Sequence, residues 1–441
     1  MTSLTDRLAG FATRTRLDDV PETLRSVLRL SLLDWAAVAI AGRDEPVARI
    51  TRDMALAEAG APRASLVGHA IRLPPRAAAL VNGATGHALD YDDTHFAHIG
   101  HPSVAVLPAV MALAEDRGAD WPAFEAAALV GLEASIRVGV WLGRGHYQHG
   151  FHQTGTAGAF GAALAAARLL RLPADQCAMA LGLTATRASG LKSQFGTMGK
   201  PFNAGLAAAN GVEAALLVAG GFVANPDALE APQGFGPTHS GSAAQDALDG
   251  LGRDWLFESV SHKFHACCHG LHACLEAAKT LGTIDPARID QIEVATHPRW
   301  LSVCNQPAPT TGLGAKFSYA TVLPMHFLGH DTAQLQSYRD DLCADPSLQA
   351  LRARVAVTGD DSLAETASAL RVTLTGGAPL QATHDLAAPM PLHDRQDRVR
   401  DKAGALLGKG VAARLWQLSG GAGGVEGFAA ALRGAGDAPA T

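Results

Sequence analysis

Apolar residues recur at three- and four-residue spacing along most of the first 260 positions of the chain. The stretch from Pro21 to Ala41 shows the pattern well. Leu24, Val27, Leu28, Leu32, Trp35 and Ala36 fall on one side, proline stands at a first-turn position, and Gly42 follows as a stop. The same spacing predicts helices at about 46–59, 74–88, 102–116, 121–142, 154–170, 174–188 and 203–219. Almost no β-branched alternation separates them, so this region is expected to be all-helical.

The texture changes after about residue 262. One helix is expected at His269 to Leu281, followed by a β-branched run from Ile289 to Thr296 that His297 and Pro298 end. Further strands are expected at Ala353 to Thr358, Ala369 to Thr375 and Leu380 to His384, with helices at about 313–330 and 332–343 between them. From Asp394 the charged-amphipathic helical pattern returns in Val399, Ala403, Leu406, Leu407, Val411 and Leu415. The fold class is therefore expected to be mainly α. A large helical domain takes residues 1–262 and 394–441, and a smaller α/β domain takes 263–393. Ser419 to Gly424 (SGGAGG) reads as a turn between two C-terminal helices, and the last residues, GAGDAPAT, as a frayed end.

Length and charge narrow the function. The chain has 441 residues, 48% of them hydrophobic, enough for a large core. Its 36 basic and 42 acidic residues give a net charge of −6, without the basic patch that nucleic acid or an anionic membrane surface would need. The first twenty residues alternate charged and apolar positions, unlike a secretory signal. The most apolar stretch, Gly205 to Val223, contains Asn210 and Glu213 and reads as a buried helix. The six cysteines follow no disulfide-scaffold spacing. A cytoplasmic protein acting on a small molecule is expected.

Titratable residues are distributed unevenly. Gly86 to Ser103, GHALDYDDTHFAHIGHPS, holds Asp90, Asp92, Asp93, Thr94, His87, His95, His98 and His101 between two apolar helices, a density costly to bury for structure alone. Of 18 histidines, 11 lie in three short windows: 87–101, 146–152 and 262–272. The tract from Lys263 to Cys274 (KFHACCHGLHAC) invites a zinc reading, but adjacent Cys267 and Cys268 lack knuckle spacing and no second CxxC pair exists. Asp90, Asp92 and Asp93 lack the glycine and distal glutamate of a calcium loop. No metal is expected. GTAGAFG (155–161) follows no strand, which makes its glycines helix-packing positions, and GTMGKP (196–201) lacks the first glycine and the Ser/Thr of a P-loop. Lys200 and Lys263 stand beside glycine or aromatic residues at helix edges, where an ammonium can clamp a carboxylate or carry a proton.

Several ordered motifs carry a resemblance: HALDYDDTHFAHIGHPS (87–103), GFHQTGTAGAFGAA (150–163), SQFGTMGKPFNAG (193–205), KFHACCHGLHA (263–273) and AKFS (315–318). With them the chain resembles the MmgE/PrpD family, which includes 2-methylcitrate dehydratases, cis-aconitate decarboxylases and iminodisuccinate epimerases. The resemblance implies a helical domain built from both chain ends, an inserted α/β lid, a homodimer, and a site without an organic cofactor at the domain junction. It further implies that Asp90, Thr94, His101, His152, Lys200 and Lys263 line that site, and that the Lys316-Phe317-Ser318 segment lies near it. There are departures. The loop from Thr94 to His101 is a residue longer than in the decarboxylases, which counts against that particular reaction, and Phe264-His265 and Tyr319-Ala320 replace the usual tyrosine-proline and glutamine-tyrosine pairs. Different substrate contacts are expected.

The expected chemistry is proton abstraction next to a carboxylate of a small di- or tricarboxylate. Loss of water is the first expectation, and epimerisation or loss of carbon dioxide are the alternatives. Lys200 and Lys263 serve as clamps or proton carriers, His101 and His152 as acid and base, and Asp90 as their orienting charge. Thr94, His95, His98, Lys316 and Ser318 are expected to contact substrate, with Asp92 and Asp93 only bracing the loop.

Overall fold

The computed structural model describes residues 3–434, so most of the terminal segment expected to fray lies outside the described residues. The fold is mainly α with a small α/β part. The chain divides into two compact units, Met1–His262 with Gln396–Thr441, and Lys263–Arg395.

In the larger unit the helices begin and end where local chemistry dictates. Ser3 caps Leu4–Arg14 through the Asp6 amide, and Asp120 caps Trp121–His149 through that of Ala123. Proline occupies the first turn of Pro46–Glu58, Pro75–Gly86 and Pro102–Arg117, where its missing N–H costs nothing. The 121–149 helix passes a break at Gly143 (φ 74°, ψ −177°), one residue beyond the end expected from periodicity, and then turns on to His149. One expectation is corrected. The unit is not all-helical, because β1 (Ala64–Ser65) pairs antiparallel with β2 (Arg72–Leu73).

Small residues let the central helices approach closely. Gln153–Leu169 packs against Trp121–His149, Pro102–Arg117 and Gly199–Ala219, and the last also packs against Pro75–Gly86. At the crossings glycine faces backbone. A Cβ on Gly161 would lie 2.5 Å from the Gly131 carbonyl, and one on Gly83 would lie 2.8 Å from Gly205 Cα. The GTAGAFG glycines are thus packing positions. Trp121–His149 and Gly199–Ala219 are long and apolar enough to cross a membrane, yet both are mostly buried within the protein, as core helices are.

In the smaller unit a four-stranded sheet runs in the order β4 (Val355–Gly359), β3 (Ile289–Thr296), β5 (Ala367–Leu374), β6 (Leu380–Asp385). β3 and β4 are parallel, and the other pairs are antiparallel. Ile292, Val294, Leu370 and Val372 supply its buried face, and His272–Thr280 packs on β5 and β6. Two helical expectations are corrected here. The 313–330 segment breaks into Gly312–Ala315 and Tyr319–Phe327, because the Ser318 hydroxyl is bonded back to the Gln306 carbonyl at 2.5 Å. Of 332–343, only Asp340–Cys343 forms an α-helical turn.

Gly161→Ala tests the close crossing. The added methyl meets a backbone carbonyl and Ser135, so overpacking of roughly 1–3 kcal/mol outweighs the helix-propensity gain of at most about 1 kcal/mol. Urea denaturation is expected to show a net loss of stability.

Candidate active site

The Gly86–Ser103 stretch begins as the Pro75–Gly86 helix ends and finishes as Pro102–Arg117 starts. Between them Asp90 adopts a left-handed conformation (φ 51°), which aspartate tolerates better than most residues. This turn aims Asp90 at Lys200, whose Nζ lies 2.7 Å from Asp90 Oδ2. The other oxygen, Oδ1, lies 3.7 Å from His101 Nε2.

Two residues on, Asp92 is fully buried and meets two imidazoles. His87 Nδ1 stands 2.9 Å from its Oδ1, and His101 Nδ1 stands 2.8 Å from its Oδ2. Burial pushes the Asp92 carboxyl up, but the charges and hydrogen bonds of His87 and His101 outweigh it and hold the group well below the usual carboxylate range. Asp92 is therefore ionised and accepts from both rings. Its role corrects the expectation that it only braces the loop. Asp93 does brace, accepting from the Ser31 and Ser103 hydroxyls at 2.9 and 2.5 Å.

The imidazoles cluster. The His87 ring centroid lies 4.4 Å from that of His101 and 5.9 Å from that of His152, the latter nearly parallel. The amide nitrogen of Asn203 lies 3.2 Å from His152 Nδ1, and with that nitrogen donating the ring proton sits on Nε2. Burial, followed by the charges of His87, Lys200 and His101, depresses the His152 pKa well below its ordinary value. This ring stays neutral near pH 7. Phe195 packs edge-on to it at 5.0 Å and lies 5.3 Å from the Lys200 ammonium.

Three helix amino ends meet here. His101 is the residue before Pro102–Arg117, His152 the residue before Gln153–Leu169, and Lys200 the second residue of Gly199–Ala219. The His101 amide donates to Thr154 Oγ1 at 3.0 Å, which ties the first two ends together. Their partial positive charges, with the Lys200 ammonium, make a place for an anion. The cluster reaches solvent through the side chains of Asp90 (25% exposed), Lys200 (16%) and His101 (10%), while His87 and Asp92 are sealed beneath. Lys200, Asp90 and His101 Nε2 therefore form the open edge of the cluster.

Other expected site residues lie elsewhere. His95 and His98 were expected to touch substrate, but their rings turn inward, a correction to that reading. His95 Nε2 donates to the Leu256 carbonyl at 2.9 Å while its Nδ1 accepts from the His98 amide at 3.2 Å; His98 Nε2 lies 3.3 Å from Ser135 Oγ. Burial is the first cause that lowers their pKa values, to about 4 and about 3. Thr94 pairs through its backbone with Ser261. In the smaller unit the Ser318 hydroxyl is bonded to Gln306 and Thr321, which corrects its expected substrate contact, and the Lys316 ammonium lies 5.5 Å from the Tyr338 ring. Lys263 belongs to that unit too, near Cys267.

Among the described residues, the group able to surround an ion is His87, Asp90, Asp92 and His101, with ligand atoms all within 4.8 Å of one another. Two nitrogens and two carboxylate oxygens suit a zinc-like cation. The Lys200 ammonium already on Asp90 supplies positive charge at that place. The histidines of the 265–274 tract are bonded to protein groups: His265 reaches Thr332 at 2.6 Å and Glu276 at 2.9 Å, and His272 reaches the Cys267 carbonyl at 3.3 Å.

Comparison with known proteins follows the same residues. A family model for the MmgE/PrpD N-terminal domain matches residues 6–247, and one for the MmgE/PrpD C-terminal domain matches 265–412. The chain is 28% identical over 372 residues to a cis-aconitate decarboxylase of Aspergillus terreus, covering 77% of this chain and 75% of that protein. It is 29% identical over 355 residues to the cis-aconitate decarboxylase-like protein oryM of Aspergillus oryzae, covering 73% and 72%. A human cis-aconitate decarboxylase is 34% identical over 200 residues, 44% of this chain and 41% of that protein.

His95 makes stability depend on acid. Its folded pKa of about 4 lies below the free value of about 6.5, so the unfolded chain binds a proton that the folded one refuses. The contribution is complete above about pH 6.5 and is lost as pH falls toward 4, on the order of 3 kcal/mol. In urea unfolding, the advantage of the native protein over His95→Gln is expected to shrink over that window. An advantage that stays constant with pH would contradict the assignment.

Proposed function

The chain belongs to the MmgE/PrpD family, and from that premise we propose a lyase that moves a proton at a carbon beside a carboxylate of a small tricarboxylic acid. One observation carries the reading. Buried Asp92 holds His101 by Nδ1, leaving Nε2 at the open edge beside Asp90 and Lys200. Asp92 orients that ring and stabilises its protonated form, and Lys200 with the three helix amino ends holds a substrate carboxylate next to it.

Loss of carbon dioxide from an unsaturated tricarboxylate is the reaction to test first, because the similar proteins named above are cis-aconitate decarboxylases. In such a step the bond to the departing carboxylate breaks, and its electron pair shifts through the double bond. The far carbon then takes a proton from the His101 imidazolium. The longer 94–101 loop does not argue against this reaction, since His95 and His98 turn away from the cluster. Dehydration of a hydroxy-tricarboxylate is the second reading. It needs a proton donor for the leaving hydroxyl beside the base, and Lys200 and His101 flank the same Asp90.

Incubation with cis-aconitate and with methylcitrate in heavy water, followed by NMR, separates the two by carbon dioxide release and by the site of deuterium. For whichever substrate turns over, His101→Gln is expected to lower kcat by roughly 10²–10⁴-fold. Lys200→Met is expected to act on kcat/KM through lost carboxylate binding. Full turnover by a folded His101→Gln protein would remove His101 from the reaction.

A further inference from the structure

The Asp92 carboxylate is useful only if it cannot swing away from His101, and the residues on either side of it are both tied down. Behind it, Asp93 accepts from Ser31 Oγ at 2.9 Å, Ser103 Oγ at 2.5 Å and the Ser103 amide at 3.3 Å. Ahead of it, the Tyr91 carbonyl accepts at 2.6 Å from Lys402 Nζ, more than three hundred residues away in Leu392–Leu407. The same ammonium lies 2.6 Å from Asp34 Oδ1 and 3.9 Å from the centre of the Tyr91 ring. Lys402 is 4% exposed, Asp34 1% and Tyr91 0%. Asp34 and Ser31 sit one turn apart on Glu22–Ala41, so a single helix backs both ties.

A buried lysine paired with an aspartate is a weak source of net stability, since desolvation cancels much of the attraction. Here the ammonium has a third partner. The Tyr91 carbonyl belongs to the peptide plane that leads into Asp92, so fixing that oxygen fixes the rotation from which the Asp92 side chain departs. The preceding residue, Asp90, is in the left-handed region, a conformation that persists only where the surrounding structure holds it. We propose that Lys402 is a positioning residue for the active site: from the C-terminal helix it locks the Tyr91–Asp92 peptide so that the Asp92 carboxylate meets His87 and His101. The inference rests on the Asp92–His101 relay described above.

The test must separate positioning from simple stabilisation. Lys402→Met alone strands the buried Asp34 charge and is expected to destabilise the fold. The double variant Asp34→Asn, Lys402→Met removes both charges together and is expected to regain a melting temperature close to native. Two measurements on it decide. With Asp92 free to drift, kcat is expected to fall roughly tenfold or more while KM changes less than about threefold. The His101 imidazole, followed by NMR on histidine-labelled protein, is expected to titrate at least about half a unit lower, because its imidazolium has lost its nearest anion. The other groups around His101, namely His87, His98, His152, Asp90 and Lys200, are unchanged in this variant.

A folded double variant with native kcat and native His101 titration overturns the inference. If His101→Gln is inactive while the double variant is unimpaired, Lys402 is structural only and the relay stands. If His101→Gln is fully active, the relay falls, and the titration still reports whether Lys402 sets the distance from Asp92 to His101.

Discussion

Everything in the larger unit that bears on chemistry depends on one buried charge. Asp92 has no exposure and would be protonated by burial alone, yet two imidazole N–H groups within 2.9 Å keep it ionised. The dependence is mutual. Without Asp92, His87 and His101 would be two buried rings with no acceptor for their Nδ1 protons, and nothing would fix which nitrogen of His101 faces solvent. One carboxylate thus sets the tautomer of two histidines and leaves one of them pointing outward.

The packing makes that arrangement possible. Helices rich in alanine and glycine cross with backbone against backbone, as at Gly161 with Gly131 and Gly83 with Gly205. Bulkier crossings would hold the amino ends of Pro102–Arg117, Gln153–Leu169 and Gly199–Ala219 further apart. The site side chains sit on the second residue or the one just before these helices, where the dipoles favour a bound anion. Low side-chain volume in the core and the convergence of three helix amino ends at the site are two results of the same composition.

Much of this was legible in the chain itself. Helix spacing placed most core helices to within a few residues, and the β-branched runs placed all four strands of the small sheet. Periodicity placed the break at Gly143 but not the further helical turn to His149, and it failed at Ser318, whose hydroxyl ties the chain to Gln306. In the candidate site the dense polar stretch was visible, but its division of labour was not. His95 and His98 look as available as His101 in one dimension, and only the closure of the loop, with His95 N bonded to the Gly100 carbonyl, turns them inward. Asp92 reads as one of three similar aspartates. Lys402 gives no signal at all, since a lysine beside Val399 and Ala403 on an amphipathic helix reads as a solvated edge.

The charge balance of the open edge links binding to proton transfer under the proposed reading. Lys200 is neutralised by Asp90, so an incoming carboxylate must compete for an ammonium that already has a partner at 2.7 Å. As the substrate takes that ammonium, Asp90 loses its counter-charge while its other oxygen stays 3.7 Å from His101 Nε2. An uncompensated carboxylate at that distance favours the imidazolium, as Asp92 does from the opposite side of the ring. Substrate binding therefore raises the proton affinity of the group that must deliver a proton to carbon, and an empty site leaves that group less basic. The left-handed turn at Asp90 is what puts its two oxygens between the clamp and the carrier, so that one side chain can serve both.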